Sequence, residues 1–256
     1  MTTDGTELSR RTRPAVTGVG GRFMVSSQLA LAAEGLGLPS HALYLRGRLA
    51  PMGALTAPTA AAVLGIFPPA FVATWWERTA ALSTKDAVEA FTEACAQWGR
   101  DCLGGVPAAA LERLADLGSR VLDSAELSAL PLVAAWRGEA RPEEPRARAA
   151  FVLFLLRELR GAVHLGALRA QGLDVPVAVL TEPSAGEARL RAFAWRDADL
   201  TAVRSRAAAI PGVAARWAAA EESTEVGFGS FLTVLDAAEA AELVAVCDAV
   251  VAAAGG

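Results

Sequence analysis

The segment FLLRELRGAVH (154–164) holds the charged and titratable residues whose spacing best suits chemistry. On a helix with about 100° between residues, Glu158 falls inside an apolar arc, whereas Arg157, Arg160 and His164 form a second stripe. A carboxylate in an apolar arc must be paired, hydrogen-bonded or protonated. Glu158 therefore either meets a cation from another helix or lines a cavity, and the stripe is either a solvated edge or part of a site.

If this segment is a site, its side chains have distinct roles. Glu158 and His164 are the candidate catalytic residues, because carboxyl and imidazole groups are readily tuned for acid–base work. Arg157 and Arg160 are candidate ligand-binding residues, since a guanidinium offers a planar fork of donors to an anionic or carbonyl group. The pattern implies no particular reaction.

Two earlier segments hold further candidate ligand-binding residues. His41, Tyr44 and Arg48 share one face of a short predicted helix, which is either a partly exposed surface or a pocket wall. Trp75 and Trp76 point about 100° apart on another predicted helix, so one faces the core and the other lines a cavity or an interface. We predict an interhelical pocket for a small molecule between these helices and the helix of Glu158.

Composition argues against several classes of protein. The net charge of −4 disfavours nucleic acid as the main partner. Two histidines and three scattered cysteines form no metal motif, so we predict no metal and no cofactor. Lys85 is the only lysine, which excludes a Walker loop, and VTGVGGRF (16–23) lacks the third glycine of a dinucleotide loop. With no apolar run of about 18 residues and no secretory signal, we expect a cytoplasmic protein without a membrane span.

The elements that would position these residues are helices. Alanine is abundant, β-branched residues rarely run together, and helix caps and stops follow one another along the chain. We predict an all-α fold with a flexible arm at 1–14, a helical domain at 15–172 and a smaller C-terminal helical region at 173–256.

RELRGAVH resembles the Arg-Glu-His-Arg-Gly-Asp-Gly-His block of an actinobacterial family of helical proteins commonly labelled helix-turn-helix or MarR-like. LRGRLAPMGAL (45–55) and IFPPAFVA (66–73) are similar to two further segments of that family, in the same order. Leu159 and Ala162 stand where the family has histidine and aspartate. The positions that match are Arg48, Pro51, Gly53, Arg157, Glu158, Arg160, Gly161 and His164.

The resemblance implies a winged helix in the C-terminal region, but this chain departs from that pattern. PGVAARWAAAEES (211–223) occupies the place of the wing and has no hairpin signal, so we expect a degenerate winged-helix-like or purely helical region. We predict a small-molecule-binding protein, either a binder or an enzyme of actinobacterial specialised metabolism. The alternatives are a ligand-responsive transcriptional regulator with a degraded winged helix-turn-helix, and a structural protein without a pocket. A homodimer is left open.

Overall fold

The computed structural model describes residues 4–184 and 186–255, and these residues form helices without any strand. The predicted all-α fold is confirmed. No helix in the described ranges has the length and apolar character needed to cross a membrane. The α-helices are α1 Gly5–Arg13, α2 Gly20–Arg22, α3 Ser27–Gly35, α4 Ser40–Leu49, α5 Ala57–Leu64, α6 Pro69–Arg78, α7 Thr84–Cys102, α8 Ala108–Ser124, α9 Pro131–Arg137, α10 Pro145–Ala170, α11 Val175–Thr181, α12 Gly186–Ala192, α13 Asp197–Ala209, α14 Val213–Leu232 and α15 Ala237–Gly255.

The chain divides into two compact units that are each assembled from separate segments. The first unit comprises 1–54, 82–161 and 225–256, and the second comprises 55–81 and 162–224. This division differs from the predicted boundary at 172, because distant segments pack together. Composition along the chain cannot reveal such packing.

The N-terminal segment, for which we expected a flexible arm, is helical over its described part. Asp4 caps α1 by accepting hydrogen bonds from the backbone amides of Thr6 and Glu7. Leu8 is buried, which holds the helix to the first unit. A π-helix at Pro14–Val19 follows, so the glycine-rich stretch at 16–23 is helical and not a loop. Residues 1–3 lie outside the described part.

The core of the first unit surrounds the N-terminal half of α10. Every residue from Phe151 to Leu156 is buried, so this part of α10 has no solvated face. An aromatic cluster packs on it, with centroid distances of 5.5 Å between Phe91 and Phe154 and 5.2 Å between Trp136 and Phe154. Edge-to-face aromatic pairs of this kind stabilise a core beyond their buried area.

Two neighbouring helices approach α10 closely because each presents a glycine. A Cβ built at Gly99 in α7 would lie 2.5 Å from the Arg146 carbonyl oxygen, and one at Gly118 in α8 would lie 2.4 Å from Val152 Cγ1. Real Cβ atoms are not found so close to other atoms. The small residues therefore set the distance between these helices and α10.

The second unit has its own apolar core, formed where α11, α12 and α13 pack together. Val177 and Ala178 of α11, Leu190 of α12, and Leu200 and Val203 of α13 are buried there. α13 ends at Ala209 and α14 begins at Val213, so a short turn occupies the place where a wing would lie. This agrees with the absence of a hairpin signal in the sequence.

We predict that two Gly→Ala substitutions have opposite effects on stability. Gly118→Ala forces a methyl group against Val152 in a dense core, and we expect a loss of about 1–3 kcal/mol in the free energy of unfolding. Gly161→Ala lies at an exposed position of α10 where no described atom comes within 4 Å of the new Cβ. We expect a gain of up to about 1 kcal/mol there, from helix propensity. Urea unfolding measures both values, and equal effects at the two positions would contradict this packing.

Candidate functional site

Glu158 is the buried carboxylate that the sequence singled out, and arginines satisfy both of its oxygens. It is 3% exposed. Arg48 of α4 donates from Nε at 3.1 Å and from Nη2 at 2.8 Å to Oε2. Arg157 donates from Nη1 to Oε1 at 3.1 Å. Of the two alternatives left open for Glu158, the structure has the ion pair.

Arg48 is itself held at three points. Its Nη1 donates to the hydroxyl of Tyr44 at 3.1 Å, and its guanidinium carbon lies 5.8 Å from the Tyr44 ring centroid. Its backbone carbonyl accepts the indole N–H of Trp136 at 2.9 Å. Burial by itself lowers the pKa of Arg48, but the Glu158 charge and hydrogen bond outweigh it and raise that pKa above its usual range. The guanidinium is therefore a permanent cation beside Glu158.

Arg160 forms a second buried cluster in the first unit. It is 6% exposed, and its Nη2 donates to Glu225 Oε1 of α14 at 2.7 Å. Ser9 of α1 donates to Glu225 Oε2, and Arg13 lies 3.3 Å from Oε1. The arginine–histidine stripe is thus not a solvated edge at this position, because Arg160 lies in the core with a partner.

His164 lies in the second unit and contacts α14. Its Nδ1 is 3.0 Å from the Thr224 hydroxyl oxygen and 3.5 Å from Glu221 Oε1. The Thr224 hydroxyl donates its proton to the Ala220 carbonyl at 2.7 Å. It must therefore accept from His164, so Nδ1 of His164 carries a proton.

The remaining candidate ligand-binding residues, His41, Trp75 and Trp76, do not lie in one place. His41 is half-buried on α4, and burial lowers the pKa of its imidazole. In the second unit, Trp76 is buried and its indole donates to the Leu55 carbonyl at 2.9 Å. Trp75 is half-buried and its ring lies 5.0 Å from the guanidinium of Arg78. Trp76 is the core member that the adjacent pair predicts.

A pocket of about 270 Å³ lies within the second unit, and none of the nine predicted site residues lines it. Its walls come from the end of α5, the C-terminal turns of α10 and the start of α11. The sequence offers little signal for it, because its lining is mostly small and aliphatic. No group of three or more histidine, cysteine or acidic side chains able to hold a metal occurs in the described ranges.

The structure brings together Arg48, Tyr44, Arg157 and Glu158 in the first unit, as one ion-pair cluster. It places His164, Trp75 and Trp76 in the second unit, where His164 has partners on α14. Sequence reasoning missed Glu225, although TE at 224–225 follows Glu221 at the i+3 and i+4 spacing that places polar groups on one helix face. A catalytic role for Glu158 and His164 stays a prediction.

Comparison with known proteins places the chain in a family. Residues 9–255 match a family described as the helix-turn-helix family, so the chain belongs to that family. No curated protein and no solved structure matches the chain. The family name suggests nucleic-acid binding and so goes against our expectation, from net charge, that nucleic acid is not a partner.

We predict that removing the charge of Glu158 destabilises the first unit. Glu158→Gln leaves two arginines without a counter-charge, and we expect a loss of about 3–5 kcal/mol in the free energy of unfolding. The matched control is Glu89→Gln in the exposed Lys85–Glu89 pair, where we expect less than about 0.5 kcal/mol. Chemical denaturation compares the two, and a small effect of Glu158→Gln would contradict a structural role.

We predict that Glu225 contributes to the acid sensitivity of the fold. Burial by itself raises its pKa, but hydrogen bonds from Ser9 and Arg160 and the charges of Arg160 and Arg13 lower the pKa below the ordinary 4.5. A carboxylate whose pKa is lower in the folded protein than in the unfolded chain stabilises the fold at pH values above the unfolded pKa. That stability is lost as the pH falls below about 4.5.

The stability difference between the native protein and Glu225→Gln should therefore be full at pH 7 and shrink toward pH 3. Urea unfolding across this range measures it. Glu34→Gln is the control, since Glu34 is exposed and has no ion pair among the described residues. A stability difference that is the same at pH 7 and pH 3 would show that the charge of Glu225 does not cause the loss of stability in acid.

Proposed function

We propose that the chain is a DNA-binding transcriptional regulator that responds to a small molecule. The observation that carries the proposal is membership of the helix-turn-helix family over nearly the whole chain, together with the three packed helices α11–α13 of the second unit. In helix-turn-helix proteins the last helix of such a unit enters the major groove. A homodimer belongs to the proposal, because two copies would read half-sites about one helical turn apart.

The two faces of α13 support a role for it as the DNA-recognition helix. Leu200 and Val203 bury one face of the helix in the core of the second unit. The opposite face exposes Thr201, Ala202 and Ser205. Small and hydroxyl side chains on an exposed helix allow close approach to base edges and offer hydrogen bonds to them.

The charge of the second unit limits how it would bind. The segments 55–81 and 162–224 hold eight arginines and eight acidic residues. On α13, Arg204 pairs with Glu187 at 2.8 Å and Arg206 pairs with Asp174 at 2.9 Å. With these two arginines of α13 paired and the charges of the unit equal in number, the unit would make few phosphate contacts. We therefore expect a shallow salt dependence of DNA binding, with a log–log slope of roughly −2 to −4.

An enzyme of specialised metabolism has less support from the geometry. Acid–base chemistry needs a carboxylate that can reach a substrate. Both oxygens of Glu158 accept from arginines, and the carboxylate is buried. The ion pairs of Glu158 with these arginines hold helices together, and this structural role is enough to explain why the charges are present.

We predict that a new charge on α13 weakens DNA binding. The purified protein is first used to enrich a binding sequence from a random DNA pool at about 150 mM salt. Ala202→Glu adds a negative charge on the exposed face of α13, and we expect at least a tenfold loss of affinity for the enriched sequence.

The matched control is Ala245→Glu, the same change at an exposed position of α15 in the first unit, which should bind as the native protein does. Fluorescence anisotropy measures both affinities. Failure to enrich any sequence, or equal binding by the two variants, would reject the proposed function.

A further inference from the structure

Most of the lining of the pocket in the second unit is of one chemical kind. Its walls are formed by aliphatic and small residues, among them Ala61, Leu165, Leu168, Leu173 and Val175. Among the residues that the structure describes, no aromatic side chain lines it. A volume of about 270 Å³ is at the small end of ligand sites, and suits a saturated chain of about six to ten carbons.

Two charged residues complete the lining, and only one of them has its charge available. Asp174 caps α11 by accepting the Val177 amide at 2.9 Å on Oδ1, and its Oδ2 accepts Arg206 Nε at 2.9 Å. The side chain of Arg169 is exposed and has no hydrogen bond or ion pair among the described residues. Because Arg206 compensates Asp174, the charge left at the pocket is positive.

We propose that this pocket binds a medium-chain aliphatic carboxylate. The apolar wall buries the alkyl chain, and the carboxylate meets the guanidinium fork of Arg169. This site is distinct from the segment 154–164, whose cations already have protein partners.

Asp174 links the pocket to the helix that would read DNA. It belongs to the pocket wall and holds Arg206 of α13. A bound carboxylate beside Asp174 adds a negative charge near that ion pair and competes for Arg206. This step rests on the proposed function: occupancy of the pocket changes how α13 is held, and therefore the affinity for DNA.

Isothermal titration calorimetry of the full chain tests the site without DNA. Octanoate should bind, whereas octylamine, with the same chain and the opposite charge, should not. Across hexanoate, heptanoate and octanoate the affinity should rise about threefold to fourfold per methylene. Equal binding of octanoate and octylamine, or no binding of octanoate, would overturn the proposal.

Two variants locate the binding. Arg169→Gln should weaken octanoate about tenfold or more by removing the cation, and Ala61→Leu should weaken it by filling the pocket. Arg196→Gln is the matched control, because Arg196 is an exposed arginine of the same unit without an ion pair in the described ranges and lies outside the pocket lining. A circular dichroism melt checks that each variant is folded. Binding that Arg169→Gln and Ala61→Leu leave unchanged would overturn the site.

Fluorescence anisotropy with the enriched DNA separates the two proposals. A shift in DNA affinity with octanoate that disappears in Arg169→Gln supports both. Octanoate binding by a protein that binds no DNA supports the pocket and rejects the regulator. DNA binding without octanoate binding rejects the pocket and leaves the regulator standing.

Discussion

The buried carboxylate of Glu158 is a constraint on which the packing of the first unit depends. It lies on a helix that is buried among aromatic and aliphatic side chains, so its charge needs a cation at a defined place. Arg48 is that cation, and the same residue offers its carbonyl to Trp136 of the aromatic cluster. One arginine thereby fixes α4 and α9 against α10. Removing the charge of Glu158 would leave Arg48 without a counter-charge, and removing Arg48 would leave Oε2 of Glu158 without its donors.

The block around Glu158 looks like a site in the sequence because it concentrates charge, but most of that charge binds helices to one another. Arg160 reaches Glu225 within the first unit, and His164 reaches Thr224 within the second. Both partners lie on α14, at adjacent positions. A polar stripe on one long helix thus corresponds to a polar stripe on another, and buried polar groups pair as their desolvation requires.

The features on which the proposed function rests lie in the second unit. Its three-helix core exposes one face of α13, yet its arginines are balanced by acidic residues of the same unit. Binding to DNA would then depend on shape and base contacts more than on phosphate attraction. Asp174 lines the pocket and also forms the ion pair to Arg206 of α13. A ligand in the pocket and the proposed DNA-recognition helix would therefore both interact with the same carboxylate.

The sequence by itself determined the helical fold, the absence of a hairpin after α13 and the anomaly at Glu158, because periodicity, caps and the cost of a buried charge are local properties. It did not determine that α1 packs on the first unit, where the two units divide, or which cation meets Glu158. Arg48 is 110 positions away from Glu158, and Glu225 is 65 from Arg160. Only tertiary packing decides such pairs, since any of many arginines could satisfy a carboxylate and the fold determines which of them meet it. The aliphatic pocket could not be predicted from the sequence for the same reason. Each residue of its lining is of a common type, and the cavity exists only because three helices leave space between them.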